Sequence, residues 1–232
     1  MAAFAPQTPA VDLTGEPSHH LVLENAFVRV FDVSVAPKAT TLVHRHDHDY
    51  VFVTLGDAAF TNARVGAQPS EVLLKDGDAR FTAGGFAHAA RNNRDTPFRN
   101  ITIEILSPAT GEHNCTQECW LPCNLPDKSI CPALQRLFST DQWTVISVTL
   151  PPGARLAEHI HSAHHLAVAV TDLHLKTQSQ GQPENQVSAK TGDIMWVNPV
   201  THMVTNVGAK PARFVTLEFN GTAGPEASHS HP

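Results

Sequence analysis

Residues 152–165 read PGARLAEHIHSAHH, and this stretch contains His159, His161 and His165. Residues two apart in an extended strand point to the same face, so His159 and His161 are predicted to project side by side. His165 follows after a short loop, and His202 ends a later segment that reads NPVTH. Imidazole suits zinc, copper, iron and nickel, so these four histidines predict a site for a divalent transition metal.

An earlier part of the chain repeats the same pattern. At a spacing of 115 residues, the equivalent pairs are His44 and His159, His46 and His161, and Tyr50 and His165. At a spacing of 114 residues, they are His88 and His202, Asn92 and Asn206, and Glu104 and Glu218. A register kept over about 75 residues indicates an internal duplication. The first copy therefore predicts a three-histidine metal site formed by His44, His46 and His88.

The composition fits a globular protein with two modules. Its 232 residues allow two domains of about 100 residues, each large enough for its own core. The formal net charge is −6 and no basic cluster stands out, so neither nucleic acid nor an anionic membrane surface is an expected partner. No apolar run approaches the ~20 residues of a membrane span. The expected partner is a small-molecule substrate.

Short segments separated by turn residues predict strands along most of the chain. In residues 98–106, for example, Ile101 and Ile103 alternate with Thr102 and Glu104. The 17 prolines and 13 glycines suit many turns, and the one helix predicted is a short one near residues 132–138. The predicted fold class is all-β, with two closed or sandwich-like barrels in tandem.

The repeat also predicts the domain limits. They are an extended N-terminal arm over residues 1–20, a first barrel domain over 21–106, a linker over 107–140, a second barrel domain over 141–220 and a flexible tail over 221–232.

The predicted linker holds all four cysteines, which are Cys115, Cys119, Cys123 and Cys131. Their confinement to one segment favours two disulfides, with free thiols and a metal site as the alternatives. Disulfides would imply an oxidising compartment. The first ten residues lack the pattern of a signal peptide. A mature exported chain in the periplasm or outside the cell is therefore one expectation, and a cytoplasmic location is the other.

The two histidine motifs resemble the two signatures of the cupin superfamily. Gly153, His159 and His161 fit the first signature, a Gly followed after five residues by His-x-His. The second signature is matched by Gly77, Gly85, His88 and Asn92 in the first module, and by Gly192, Pro199, His202 and Asn206 in the second. The resemblance covers most of both modules and is to a bicupin. It implies two tandem double-stranded β-helix (jelly-roll) barrels, each with a divalent metal held by histidines in its mouth. Cupins commonly pair, so a homodimer is a further expectation.

The chain departs from the cupin pattern at the glutamate that often joins the histidines. Tyr50 takes that position in the first module and His165 takes it in the second. Loss of a hard anionic ligand favours iron, copper, zinc or nickel over manganese or magnesium. It also leaves the metal a stronger Lewis acid.

Three further residues are candidates for catalysis. Tyr50, the only tyrosine, is predicted to hydrogen-bond a metal-bound water or to complete the coordination, or else to line the barrel as a packing aromatic. Glu104 and Glu218 are candidate general acids or bases, although carboxylates at such positions more often lie at a surface or an interface.

The predicted reaction site is in the second module. Ala167 and Ala169 follow His165 on its face and leave room for a substrate, whereas Phe52 and Thr54 predict a tighter cavity in the first module. We expect a metal-dependent oxidoreductase of dioxygenase type that acts on a small oxygenated organic molecule. The alternatives are a metal-dependent lyase, isomerase or decarboxylase, and a bicupin that binds a metal or small ligand without catalysis.

Overall fold

The computed structural model describes residues 9–106 and 131–219. The chain divides into two compact units, Met1–Pro108 and Ala109–Pro232. Within the described ranges both units are built from β-strands, and the only helix is one 3₁₀ turn at Leu13–Gly15. No helix in these ranges is long and apolar enough to cross a membrane.

The first unit is a barrel of two sheets. Its strands are β1 (Val11–Asp12), β2 (His19–Glu24), β3 (Val28–Val35), β4 (His44–His46), β5 (Tyr50–Leu55), β6 (Ala58–Arg64), β7 (Ser70–Leu74), β8 (Ala79–Thr82), β9 (Phe86–Asn92) and β10 (Phe98–Ile105). One sheet has the order β1-β4-β9-β6-β7 and the other β2-β3-β10-β5-β8. Side chains from both sheets, among them Phe31, Val33, Phe60 and Phe98, form the core between them.

The second unit repeats this arrangement. Its strands are β11 (Ala133–Ser139), β12 (Trp143–Leu150), β13 (Arg155–His161), β14 (His165–Ala169), β15 (Leu173–Ser179), β16 (Asn185–Ala189), β17 (Ile194–Val197), β18 (Val200–Asn206) and β19 (Ala212–Phe219). The sheet orders are β11-β12-β19-β14-β17 and β13-β18-β15-β16. These orders match those of the first barrel strand for strand, except that the described part of this unit has no counterpart of β1. The prediction of two all-β barrels in tandem is confirmed.

Strand pairing explains why the two histidine motifs meet. In the antiparallel β4–β9 pair, His44 is directly opposite His88. In the equivalent β13–β18 pair, His159 is directly opposite His202. Directly opposed residues have Cβ atoms ~5 Å apart on one face of a sheet, so both pairings bring imidazoles together.

Each barrel has one buried asparagine at an equivalent position, just before its last strand, β10 or β19. Asn92 is fully buried, and its Nδ2 donates to the backbone oxygens of Val35, Ala36 and Thr96. Asn206 is also fully buried and donates in the same way to Leu150 and Lys210. These bonds connect the end of β3 to the turn before β10, and the end of β12 to the turn before β19.

The structure differs from the predicted arm over residues 1–20, because the described part belongs to the first barrel. β1 pairs with β4 in parallel, with Val11 beside His44, and Leu13 is completely buried in the core. β2 then pairs with β3, which places His19 opposite Val33.

The predicted short helix near residues 132–138 is wrong, since β11 occupies this stretch and pairs with β12. Pairing with a long neighbouring strand overrides the weak local helix signal. Cys131, just before this strand, is disulfide-bonded. Cys115, Cys119 and Cys123 lie outside the described residues, so the pattern of two disulfides stays a prediction.

Candidate metal centres

Three buried histidines of the first barrel form a compact cluster. The ring centroid of His44 lies 4.5 Å from that of His88 and 5.2 Å from that of His46, and the His46–His88 separation is also 5.2 Å. All three side chains are buried. The structure thus brings together the three residues that the sequence predicted for this site.

Hydrogen bonds fix which ring nitrogen of two of these histidines can bind a metal. His44 Nδ1 donates to the carbonyl of Leu42 at 2.9 Å, and His88 Nδ1 donates to Asn62 Oδ1 at 2.7 Å. In a neutral imidazole the other nitrogen then carries a lone pair. His88 Nε2 is buried with no hydrogen-bond partner among the described residues. A buried, unpaired acceptor is costly, and a metal ion at this position would satisfy it.

Glu104 lies behind His46 and does not line the cavity. Its carboxylate is fully buried, and Oε1 lies 3.7 Å from His46 Nδ1. Arg29 donates to the other oxygen, Oε2, from Nε at 2.8 Å and from Nη2 at 2.7 Å. Carboxylates behind a ligating histidine orient the ring and raise its basicity. At this distance no hydrogen bond joins the two side chains, and neither His46 Nδ1 nor Glu104 Oε1 has another hydrogen-bond partner among the described residues.

His19 completes the cluster and was missed by sequence reasoning. Its ring centroid lies 4.7 Å from that of His44 and 6.4 Å from that of His46. The potential ligand atoms of His19, His44 and His46 lie within 4.8 Å of one another. The available signal was the spacing of Glu16 and His19, whose side chains pair at 2.7 Å.

Tyr50 is stacked on His46, with ring centroids 4.1 Å apart and planes inclined by 17°. Burial raises the pKa of its phenol to about 12, against a smaller opposing effect of a hydrogen bond with Thr82. The phenol is therefore protonated at neutral pH and can donate a hydrogen bond, but it is a poor general base. Tyr50 lines the cavity as an aromatic side chain. Its contact with a metal-bound water stays a prediction.

The first barrel contains a cavity of about 430 Å³ next to these histidines. His19, His44, His46 and His88 line one part of it. The apolar lining includes Val33, Phe52, Phe60, Val72 and Phe98, and the polar lining includes Asn62, Arg80, Thr82, Asn100 and Thr102. Cavities of this size and lining hold small organic ligands.

The second barrel has an equivalent cluster of His159, His161 and His202. Their ring centroids lie 4.7 to 5.2 Å apart. Their potential ligand atoms lie within 4.8 Å of one another. His159 Nδ1 donates to the carbonyl of Ala157 at 2.8 Å, which leaves its Nε2 for a metal.

His165 lies where Tyr50 lies in the first barrel. It stacks on His161, with ring centroids 4.0 Å apart and planes inclined by 26°. The compact group of ligand atoms does not include it. Its Nδ1 is buried without a hydrogen-bond partner among the described residues, so its role as a fourth ligand stays a prediction.

Glu218 lies behind His161 as Glu104 lies behind His46. Its Oε2 is 3.7 Å from His161 Nδ1, and its Oε1 accepts a hydrogen bond from Thr216 at 3.1 Å. Thr144 is opposite Glu218 in the sheet, whereas Arg29 is opposite Glu104. Glu104 and Glu218 thus occupy equivalent positions, but only Glu104 has an arginine opposite it.

Burial favours the neutral form of several imidazoles in the two clusters, because it lowers their pKa. Desolvation lowers the pKa of His44 and of His202 to about 3, and that of His165 to about 2. It also lowers the pKa of His46, His88 and His159. Neutral imidazoles offer lone pairs, so both donor sets fit a divalent transition metal.

The structure places the residues that were expected to set the room in each barrel. Ala167 and Ala169 belong to the packed core of the second barrel together with Leu150, Leu173 and Phe214. In the first barrel, Thr54 does not line the cavity. Its hydroxyl instead donates to the backbone oxygens of the turn at residues 75–78. Small side chains did not create space here, because neighbouring strands filled it.

Comparisons with known proteins identify the fold. No family model matches the chain, and no curated protein matches it. Among solved structures, AerE from Microcystis aeruginosa is 12% identical, with a TM-score of 0.59 over 89% of this chain and 99% of that one. Oxalate decarboxylase from Bacillus subtilis is 14% identical, with a TM-score of 0.57 over 88% of this chain and 76% of that one. A cupin 2 conserved barrel domain protein from Leptotrichia buccalis is 9% identical, with a TM-score of 0.54 over 87% and 88%.

Proposed function

Because the chain has the bicupin fold, we propose that its first barrel is the active site of a metal-dependent oxidoreductase of dioxygenase type. The substrate would be a small organic molecule with an oxygen-bearing head and an apolar body. The observation that carries this proposal is the cavity of about 430 Å³ that has histidines at one part of its wall and apolar side chains at another.

The ligand set supports a redox-capable metal. His44, His46 and His88 are neutral donors, and no carboxylate takes the cupin glutamate position, where Tyr50 stands. Iron or copper suits such a set better than a hard cation does. By contrast, a Bacillus subtilis oxalate decarboxylase of the same fold has Mn(II) centres. When bound, iron or copper would supply oxygen activation and would polarise an oxygen of the substrate.

The side chains around the cluster define what the protein itself contributes. Asn62 holds His88 in orientation through a hydrogen bond, and the Glu104 carboxylate, paired with Arg29, lies 3.7 Å from His46 Nδ1. Phe52, Phe60 and their apolar neighbours exclude water and favour an apolar substrate body and dioxygen. Both atoms of dioxygen would enter the product, so this reaction needs no separate reductant.

Oxygenation fits the described site better than chemistry that needs a proton donor. Tyr50 is a weak acid, since the pKa of its phenol is raised to about 12. Glu104 is committed to Arg29, and Glu71 in the cavity wall bonds Thr61 and Asn93 at its exposed end. A decarboxylase or lyase usually requires a positioned general acid.

Oxygen uptake tests the proposal. Metal-free protein would be reloaded with Fe(II) or Cu(II) and assayed against β-diketones, flavonols and 2-hydroxy acids. Val72→Trp should fill the cavity without touching a histidine, and so lower turnover more than about tenfold while metal content is kept. Val65→Trp, at an exposed position outside the cavity, is the matched control.

Three outcomes would count against the proposal. If Val72→Trp left turnover unchanged, the reaction would not take place in this cavity. Carbon dioxide release without oxygen uptake would favour the decarboxylase or lyase alternative. Stoichiometric metal with no turnover of any substrate would favour a bicupin that only binds.

A further inference from the structure

We propose that His19 is a fourth metal ligand of the first centre, held in place by Glu16, so that metal binding fastens the N-terminal segment to the barrel. This inference rests on the proposed metal site of the first barrel. It adds a ligand from a strand outside both histidine motifs.

Glu16 is a buried carboxylate that accepts hydrogen bonds from His19, from the neighbouring Ser18 and from Leu42. Its side chain is 2% exposed. Its Oε2 accepts hydrogen bonds from the backbone of Ser18 and from His19 Nδ1, both at 2.7 Å, and its Oε1 accepts one from the backbone of Leu42 at 3.1 Å. An ionised carboxylate accepts hydrogen bonds but cannot donate them. The hydrogen shared with Glu16 is therefore on Nδ1 of His19.

The free nitrogen of His19 is therefore Nε2. His19 lines the same cavity as the other histidines, and one of its ring nitrogens lies within 4.8 Å of a ring nitrogen of His44 and of His46, in a group that does not include His88. A histidine that donates Nδ1–H to a carboxylate and presents Nε2 to a metal is a common arrangement in metalloproteins. Glu16 has the same relation to His19 that Glu104 has to His46, but with a much shorter contact.

The same segment is joined to the ligand-bearing strand at other points. Val11 is beside His44 in the parallel β1–β4 pair, and Glu16 bonds Leu42, whose carbonyl accepts the Nδ1–H of His44. A metal bound by both His19 and His44 would add a further link between the N-terminal segment and β4. Residues 11–24 should then be less mobile with metal than without it.

In the described part of the second barrel, the position equivalent to His19 is occupied by Leu134. His19 is opposite Val33 in its sheet, and Leu134 is opposite Val148, the repeat equivalent of Val33. Leu134 packs against the apolar core. Replacement of His19 by leucine would therefore copy the side chain that the second barrel uses at this position.

Zinc affinity of the first centre is the direct test. The full chain would carry His159→Ala and His161→Ala, so that only the first centre remains, and Zn²⁺ would be titrated against a chromophoric chelator. His19→Leu should weaken binding more than about tenfold, and Glu16→Gln should weaken it at least about tenfold, as loss of an outer carboxylate does elsewhere. His20→Leu is the control, because His20 is exposed on the same strand.

A second measurement does not depend on how the variants fold. Hydrogen–deuterium exchange of the parent protein should show protection of residues 11–24 on addition of Zn²⁺. Equal zinc affinity in His19→Leu and its parent, or no change in exchange over this segment, would overturn the role of His19 and leave the three-histidine centre intact. Absence of zinc binding in the parent would instead overturn the metal site itself.

Discussion

The buried pair of Arg29 and Glu104 should respond asymmetrically to mutation. The Glu104 side chain is fully buried, whereas the Arg29 side chain is 18% exposed. Loss of arginine leaves a buried carboxylate without its hydrogen-bonded counter-charge. Loss of the glutamate charge leaves a guanidinium that can still reach solvent. Arg29→Met should therefore destabilise the first barrel more than Glu104→Gln does.

The contact geometry sets the expected size of these effects. Two bonds of 2.8 and 2.7 Å join Arg29 to one oxygen of Glu104. Unit charges about 4 Å apart attract by roughly 4 kcal/mol at an effective dielectric constant near 20. Breaking a buried pair by removing one partner costs about 3–5 kcal/mol. Allowing for the exposure of Arg29, we expect about 3 kcal/mol for Arg29→Met and ~1 kcal/mol for Glu104→Gln.

Urea unfolding of metal-free protein measures these differences. Far-UV circular dichroism follows all strands, whereas the three tryptophans, at positions 120, 143 and 196, report on the second half of the chain. The double variant should be more stable than Arg29→Met alone. Glu218→Gln, whose carboxylate faces Thr144 in place of an arginine, is the matched control and should cost less than ~1 kcal/mol. Equal losses for Arg29→Met and Glu104→Gln would refute the reasoning.

Three further predictions concern the barrel frame and the tyrosine. Asn92→Ala and Asn206→Ala should each cost ~2 kcal/mol in urea unfolding, because each removes the hydrogen bonds that a fully buried amide NH2 group donates to backbone carbonyls; a loss below ~1 kcal/mol for both would contradict this. Absorbance at 295 nm should show Tyr50 titrating near pH 12 in the folded protein, because burial raises its pKa. The free energy of unfolding should fall as pH rises above the ordinary tyrosine pKa of ~10. A titration midpoint near pH 10 in folded protein would argue against a buried phenol. Gly84→Ala should lower the thermal midpoint, because its Cβ would collide with the backbone of His48, and an unchanged midpoint would show that this loop gives way freely.

Much of the candidate site could be predicted because it follows from strand geometry and duplication. The two-residue period of a strand places His44 with His46 and His159 with His161 on one face. The repeat then supplies the matching histidine of each later motif, and the register His44–His88 shows why these positions meet. These features are local or repeated, so one sequence is enough to reveal them.

His19 could not be predicted in this way because it belongs to neither motif. The repeat offers Leu134 at its position, which gives no hint of a ligand. Its place beside His44 depends on the β2–β3 pairing and on the carboxylate of Glu16. Pairing between strands decides such contacts, and a sequence pattern that covers one strand does not contain them.

The location of the cavity was also beyond sequence reasoning. Residue size suggested the second barrel, where Ala167 and Ala169 follow the histidines. Leu150, Leu173 and Phe214 from other strands pack against these alanines. Free volume depends on every side chain that reaches a point in the core, and so it follows from the packed structure alone.

Metal content tests the central claim, that each barrel holds a histidine metal centre. Purified protein, reconstituted under anaerobic conditions, would be examined by elemental analysis beside His44→Ala/His46→Ala, His159→Ala/His161→Ala and the combined variant. The account predicts about two equivalents of a divalent transition metal in the parent, about one in each pair variant and none in the combined variant. Absence of stoichiometric metal in the parent after reconstitution, or undiminished metal in the combined variant, would contradict it.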